Sequence, residues 1–234
     1  MKKEILAGMA LVAVCAQASV YDETYTVNTT IPNGNPVGVT FSETVSSADL
    51  PAGSVISDLT VGLNVSGGYN GGLVAYLVSP NGALVSLLNQ PGVSGSNPFG
   101  YGGSGLNITL ADGNTSIQSA SETPGVVFTG TYGAAGTLSS VNGSVADGDW
   151  TLYFANLASG TGSGNSELVS WTLNLTAVPE PADMALALFA GLLTLWWGLG
   201  SLWNSSRANR TESNFNFAPE RTVSSKAGDA NIGH

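Results

Sequence analysis

Positive charge is almost missing from this chain. Of 234 residues only six are Lys or Arg, against sixteen Asp or Glu, giving a formal net charge of -10. Lys2 and Lys3 stand at the start, Arg207, Arg210, Arg221 and Lys226 towards the end, and none lies between Glu4 and Ser206. Neutralising phosphates on a nucleic acid, or an anionic lipid surface, requires clustered Lys and Arg, so the long central region suits neither partner. Histidine and cysteine are as scarce: His234 is the last residue and Cys15 the only thiol. Residues 19–178 therefore contain no imidazole, thiol, ammonium or guanidinium group. That excludes from them every triad or dyad built on His, Cys or Lys, Schiff-base chemistry, and arginine clamps on phosphate. Charged residues of all kinds are 9% of the chain, whereas an ordinary soluble domain carries about 25%.

The chain ends have the patterns of export signals. Lys2 and Lys3 precede an apolar stretch over residues 5–16, and Ala16-Gln17-Ala18 is a small-x-small site, so residues 1–18 read as a secretory signal cut after Ala18. The Sec translocon and signal peptidase are the implied partners. Cys15 raises the alternative of a lipoprotein signal, although Val14 stands where a small residue would be expected. At the other end residues 184–203 carry no charge, long enough as a helix to cross a hydrocarbon core of about 30 Å. Trp196, Trp197 and Trp203 crowd its end, and Arg207 and Arg210 follow. The positive-inside tendency then puts residues 19–183 outside and a polar tail, 211–234, in the cytoplasm, with a composition that suits disorder.

Val178-Pro179-Glu180-Pro181 stands directly before that apolar segment. Two prolines hold the backbone extended there and interrupt helix formation. Pro-Glu-Pro, an apolar span and then arginines, on a chain that opens with a signal peptide, resembles the PEP-CTERM sorting signal over residues 178–210. The resemblance implies recognition by an exosortase, cleavage near Pro179 to Pro181, and transfer to the cell surface or extracellular matrix. The tail beyond Arg210 departs from the usual pattern, and retention as a type I membrane protein is the alternative.

Between the signals, residues 19–178 show no helical apolar stripe and no internal repeat; they alternate. Leu59, Val61, Leu63 and Val65 share one face of a strand, and Asp58, Thr60, Gly62 and Asn64 the other. Residues 73–78 are apolar on both faces, as in a central strand. Residues 84–88, 106–110, 150–154 and 169–175 continue the pattern, with Trp150, Leu152 and Phe154 on one face and Val169, Trp171, Leu173 and Leu175 on one face. Gly, Pro, Asn and Ser clusters separate the runs. The expectation is an all-β domain of about eight strands, a jelly-roll-like β-sandwich stable without disulfides.

Three blocks within this region carry a second resemblance. They are SGGYNGGLVAYLVSPNG at residues 66–82, Gly148-Asp149-Trp150-Thr151-Leu152, and Leu168 to Leu173, with Asp58 in the strand before them. Over about residues 35–176 the chain resembles the P domain, or P/Homo B domain, that follows the catalytic domain of proprotein convertases. Tyr69, Gly71, Leu73, Ser79, Pro80 and Gly82 fit the family's central pattern, and Gly72 replaces its Asp. The resemblance implies a P-domain-like sandwich and, as one role, support of a separate subtilisin-like protease.

Few residues suggest chemistry. Gly100-Tyr101-Gly102-Gly103-Ser104-Gly105 satisfies G-x-G-x-x-G, but no strand precedes it and no helix pattern follows. Asp147 and Asp149, two apart in an Asp-Gly-Asp turn, are the pair of carboxylates that stands out, and are the residues that could ligate calcium or serve a glycosidase. Phe99 and Tyr101 lie in the Gly-rich loop 91–105, where aromatics either contact a ligand or pin the loop to the sandwich. The expected function is non-enzymatic: a secreted module, without cofactor unless calcium binds, that contacts extracellular polysaccharide or another surface protein.

Overall fold

The computed structural model describes residues 17–159, 164–180 and 185–197. Nine strands follow one another among them: β1 (Ser19–Ile31), β2 (Asn35–Val45), β3 (Val55–Ser66), β4 (Leu73–Val78), β5 (Leu84–Asn89), β6 (Gly105–Leu110), β7 (Phe128–Tyr132), β8 (Gly148–Asn156) and β9 (Ser166–Val178). Single 3-10 turns occupy Asn70–Gly72 and Leu138–Val141.

They pair into two sheets, β1-β9-β3-β6-β7 and β2-β8-β4-β5, antiparallel except for the parallel pair β6 and β7. Alternation along each strand sets what the sheets bury. In β3, Leu59, Val61, Leu63 and Val65 are all nearly inaccessible, while Asp58, Thr60, Gly62 and Asn64 face outward. In β8, Trp150, Leu152 and Phe154 are fully buried, and Trp171, Leu173 and Leu175 of β9 meet them in one apolar core. Burying each such side chain contributes about 1.5–3 kcal/mol, which offsets ordering the chain without cross-links. The domain is an all-β sandwich.

One expected core residue is placed otherwise. Val169 is half-exposed and Leu168 takes the core position instead. The register of β9 slips there on both sides: Leu168 and Ser170 pair with the adjacent Val65 and Asn64 of β3, leaving Val169 unopposed, while on β1 two residues, Val27 and Asn28, fall between the corresponding partners. A bulge of this kind shifts the inward set by one residue. The β1, β2 and β7 strands were not among the expected runs. β1 and β2 are edge strands whose exposed positions are mostly polar, Thr above all, with Val20 and Val37 exposed among them; β2 is interrupted by Pro36 and Gly38, and β7 has only five residues.

The sandwich has two distinct ends. Ser19 pairs with Ala177 and Val55 with Val178, so the described domain begins and finishes at one end. Ile31 pairs with Ser166, Ser66 with Gly105 and Leu73 with Asn156 at the other, which also carries the long 90–104 loop. At about 3.3 Å per residue the 13-residue β9 separates the two ends by roughly 40 Å.

Residues 185–197, by themselves, are helical. Thirteen residues at 1.5 Å each extend about 20 Å, short of a 30 Å hydrocarbon core, and among the described residues no helix is long and apolar enough to cross a membrane. Leu186, Leu188, Phe189, Leu192, Leu193, Trp196 and Trp197 of this helix are exposed. Residue 184 and residues 198–203 of the expected span, with Arg207, Arg210 and the tail, lie outside the described residues, as do Ala16 and Pro181. Ala18 is described, exposed and irregular, and β1 begins at the next residue; Val178 ends β9, with Pro179 and Glu180 irregular beyond it.

Candidate functional site

The far end of the sandwich is built around Asn70. Its chain segment must pass from β3 in one sheet to β4 in the other, and the 3-10 turn Asn70–Gly72 makes that crossing beneath the 90–104 loop. Asn70 is 2% exposed, and its amide bridges both backbone groups of Gly105: Nδ2 donates to the carbonyl at 2.9 Å and Oδ1 accepts from the N–H at 3.2 Å. Nδ2 also lies 3.1 Å from Glu122 Oε1, which accepts the N–H of Gly103 at 2.8 Å. The acid thus closes a hydrogen-bonded ring that fastens loop 99–105 to the 120–123 segment, a structural use of its charge.

Tyr69 precedes that turn, and its hydroxyl reaches the Gly100 carbonyl at 3.4 Å. Gly71 donates its N–H to the Tyr101 carbonyl at 2.8 Å, with the backbone of residues 99 and 100 pressed against its Cα. Tyr101 is itself tied down: its hydroxyl donates to the Ala120 carbonyl, its N–H to the Pro91 carbonyl, and its ring lies 5.7 Å from that of Phe128. Burial, with the negative charge of Glu122 and the neighbouring Tyr132 behind it, raises the Tyr101 phenol above its usual range. Phe99 has no such role; it is 74% exposed, and Val93, Val126, Val127 and Leu157 are further exposed apolar residues of the loops at this end. Sequence treated Phe99 and Tyr101 alike, and the structure separates them into a free ring and a pin. Gly105 opens strand β6, so no helix follows the G-x-G-x-x-G run.

Asp147 and Asp149 lie at the opposite end, where the chain enters and leaves, and share nothing with Phe99. Asp149 Oδ1 accepts the Thr44 hydroxyl at 2.6 Å. Asp147 Oδ1 is buried without a hydrogen-bond partner. Among the described residues no group of three His, Cys, Asp or Glu side chains could hold a metal ion, so the pair lacks the further carboxylates that calcium uses. Beside them runs the turn Ser79-Pro80-Asn81-Gly82, closed by the Gly82 N–H on the Ser79 carbonyl at 2.8 Å, with Ser79 Oγ donating to Asn81 Oδ1 at 2.6 Å. Gly82 takes a φ of +81° there, which glycine alone adopts without strain. Leu73 opens β4 fully buried, and Asp58 is exposed beside the bulged Ser57 of β3. Trp150 Nε1 donates to the Ala146 carbonyl at 3.1 Å; Trp171 packs 4.8 Å from Tyr25 with its Nε1 unpaired.

No family model matches the chain, and no curated protein does. Among solved structures it is similar to the Aeromonas sobria serine protease and chaperone complex, at 16% identity and a TM-score of 0.45, covering 70% of this chain and 28% of that one. The serine protease of Aeromonas sobria alone gives 14% identity and a TM-score of 0.43, covering 69% and 27%. The chain thus spans little more than a quarter of the length of either match, and a likeness this slight decides neither fold family nor activity.

Proposed function

We propose that the chain is an exported, non-catalytic surface or matrix protein, whose jelly-roll-like, P-domain-like sandwich acts by binding and by structural presence. The observation that carries the reading is compositional: residues 19–178 hold ten carboxylates and no His, Cys, Lys or Arg. Three of those acids are engaged in hydrogen bonds far apart from one another. Glu122 holds backbone groups at one end, Asp149 is bonded to Thr44 at the other, and Asp112 accepts the N–H groups of Leu138 and Ser139. Export rests on the signal pattern of residues 1–18 and on Val178 to Pro181 before an apolar segment. In this reading the Sec translocon and signal peptidase act first. The inner-membrane intermediate is held by residues 184–203, and an exosortase then releases residues 19–178 to the surface or a biofilm matrix. Calcium is not part of the proposal.

Fractionating the producing cells and identifying both termini tests it. Recovery at the surface with a chain beginning at Ser19 supports export, and an intact Met1 in the cytoplasm refutes it. A second reading, an accessory domain for a separate subtilisin-like protease, is favoured by the Tyr69 to Gly82 block; co-purification with such a protease from the same cells would select it.

A further inference from the structure

The outer face of the four-stranded sheet belongs neither to the core nor to the loop ends. Register places Thr40 of β2, Tyr153 of β8, Tyr76 of β4 and Ser86 of β5 in one row across all four strands. The next row holds Ser42, Thr151, Val78 and Leu84, and Thr44 and Asp149 follow. Tyr76 and Tyr153 stand directly opposite each other with ring centroids 5.9 Å apart at 29°, both half-buried, so aromatic surface meets solvent at the middle of the face. The Tyr153 hydroxyl donates to the Pro36 carbonyl, which holds that ring in place. Ser42 and Thr151 hydroxyls lie 2.7 Å apart, and the face's one carboxylate, Asp149, is occupied by Thr44.

This combination has a definite chemical complement. A pyranose presents C–H faces that pack on aromatic rings and a rim of hydroxyls that exchange hydrogen bonds with Thr and Ser. Three interstrand spacings make the row about 14 Å long, room for a short run of sugar units. Charge narrows the class. A polyanionic glycan would approach a domain that holds ten carboxylates and no Lys, Arg or His, and a polycation would find on this face only a carboxylate already bonded. We infer that this face binds an uncharged polysaccharide, laid across β2, β8, β4 and β5 and stacked on Tyr153 and Tyr76. The inference rests on the reading of the chain as a binding module outside the cell, and supplies its surface and ligand class.

The test is native electrophoresis of the purified full chain in gels containing hydroxyethyl cellulose, dextran or alginate. A neutral polymer retards the wild-type chain and alginate does not. Tyr76→Ala weakens the retardation roughly five- to tenfold, the loss of one aromatic stacking contact. Tyr153→Phe keeps its ring and retains binding, and Thr109→Ala on the other sheet changes nothing. Should Tyr76→Ala fail to fold, Ser86→Arg, which puts bulk and charge beside the ring, carries the same expectation. Equal retardation of wild type and a folded Tyr76→Ala overturns the site, and stronger retardation by alginate overturns the charge argument. A chain that is processed and found at the surface yet binds neither neutral polymer overturns this inference alone. Binding by a chain that never leaves the cytoplasm keeps the site and sinks the export reading instead.

Discussion

Gly71→Ala puts a single methyl where the far end of the sandwich is most tightly closed. A Cβ at Gly71 would lie 2.0 Å from the Phe99 carbonyl oxygen and 2.9 Å from the Cα and carbonyl carbon of Gly100. All three atoms are backbone, so no side-chain rotation relieves the overlap, and the loop must retreat by about 1.4 Å to restore an ordinary contact. That retreat pulls the Tyr101 carbonyl off the Gly71 N–H, now 2.8 Å away. Overpacking costs about 1–3 kcal/mol and the lost hydrogen bond about 0.5–1.5 kcal/mol, for an expected destabilisation of roughly 2–4 kcal/mol. Gly82→Ala is the comparison: nothing lies within 4 Å of its added Cβ, so only the strain of a φ of +81° remains, about 1–2 kcal/mol. Urea unfolding at neutral pH, followed by near-ultraviolet circular dichroism, measures both. A Gly71→Ala protein within about 0.5 kcal/mol of wild type, or more stable than Gly82→Ala, would refute the close packing of loop on turn.

Alkali should unfold the domain: burial, the first cause in each case, holds the phenols of Tyr21, Tyr25 and Tyr101 above their usual range. A raised acid contributes stability that is present below about pH 10 and lost as pH rises beyond it, so the melting temperature falls from there upward and Tyr25→Phe flattens the fall. Acid acts through Asp112 in the opposite sense. Burial alone would raise its pKa, but hydrogen bonds from the Ser139 side chain and from the N–H groups of Ser139 and Leu138 outweigh burial and lower it. Its stabilisation is therefore complete above about pH 4 and is lost below, so Asp112→Asn melts lower than wild type at pH 7 and the gap closes in acid. Calcium at millimolar concentration and constant ionic strength should leave the melting temperature where magnesium leaves it; a rise seen with calcium alone and abolished by Asp147→Asn would establish a site at that turn.

Strands buried on a whole face were readable because alternation reports burial directly, as with Leu59 to Val65 and Trp150 to Phe154. Edge strands were not, since one side of β1 and β2 is covered and their Thr-rich outward positions resemble loop composition. Val169 shows a different limit: a one-residue bulge, set by how β9 meets both β1 and β3, moves Leu168 into the core without any local sign. The same holds for Phe99 and Tyr101, two residues apart in one Gly-rich run. Tyr101 became a pin through Ala120 and Phe128, partners distant in sequence, which no local pattern names. The aromatic face of the smaller sheet was hidden for the same reason. Tyr76 and Tyr153 are neighbours only through the β4 and β8 register.

In the proposed function residues 19–178, with ten acids and no basic side chain, are a passenger delivered outside the cell that acts by binding. Intact-mass spectrometry of the surface-associated protein tests that delivery most directly. The expected species is a chain that begins at Ser19 and ends near Pro179 to Pro181. A surface form that still carries His234 would contradict sorting through that motif, and a protein found only in the cytoplasm with Met1 in place would contradict export itself.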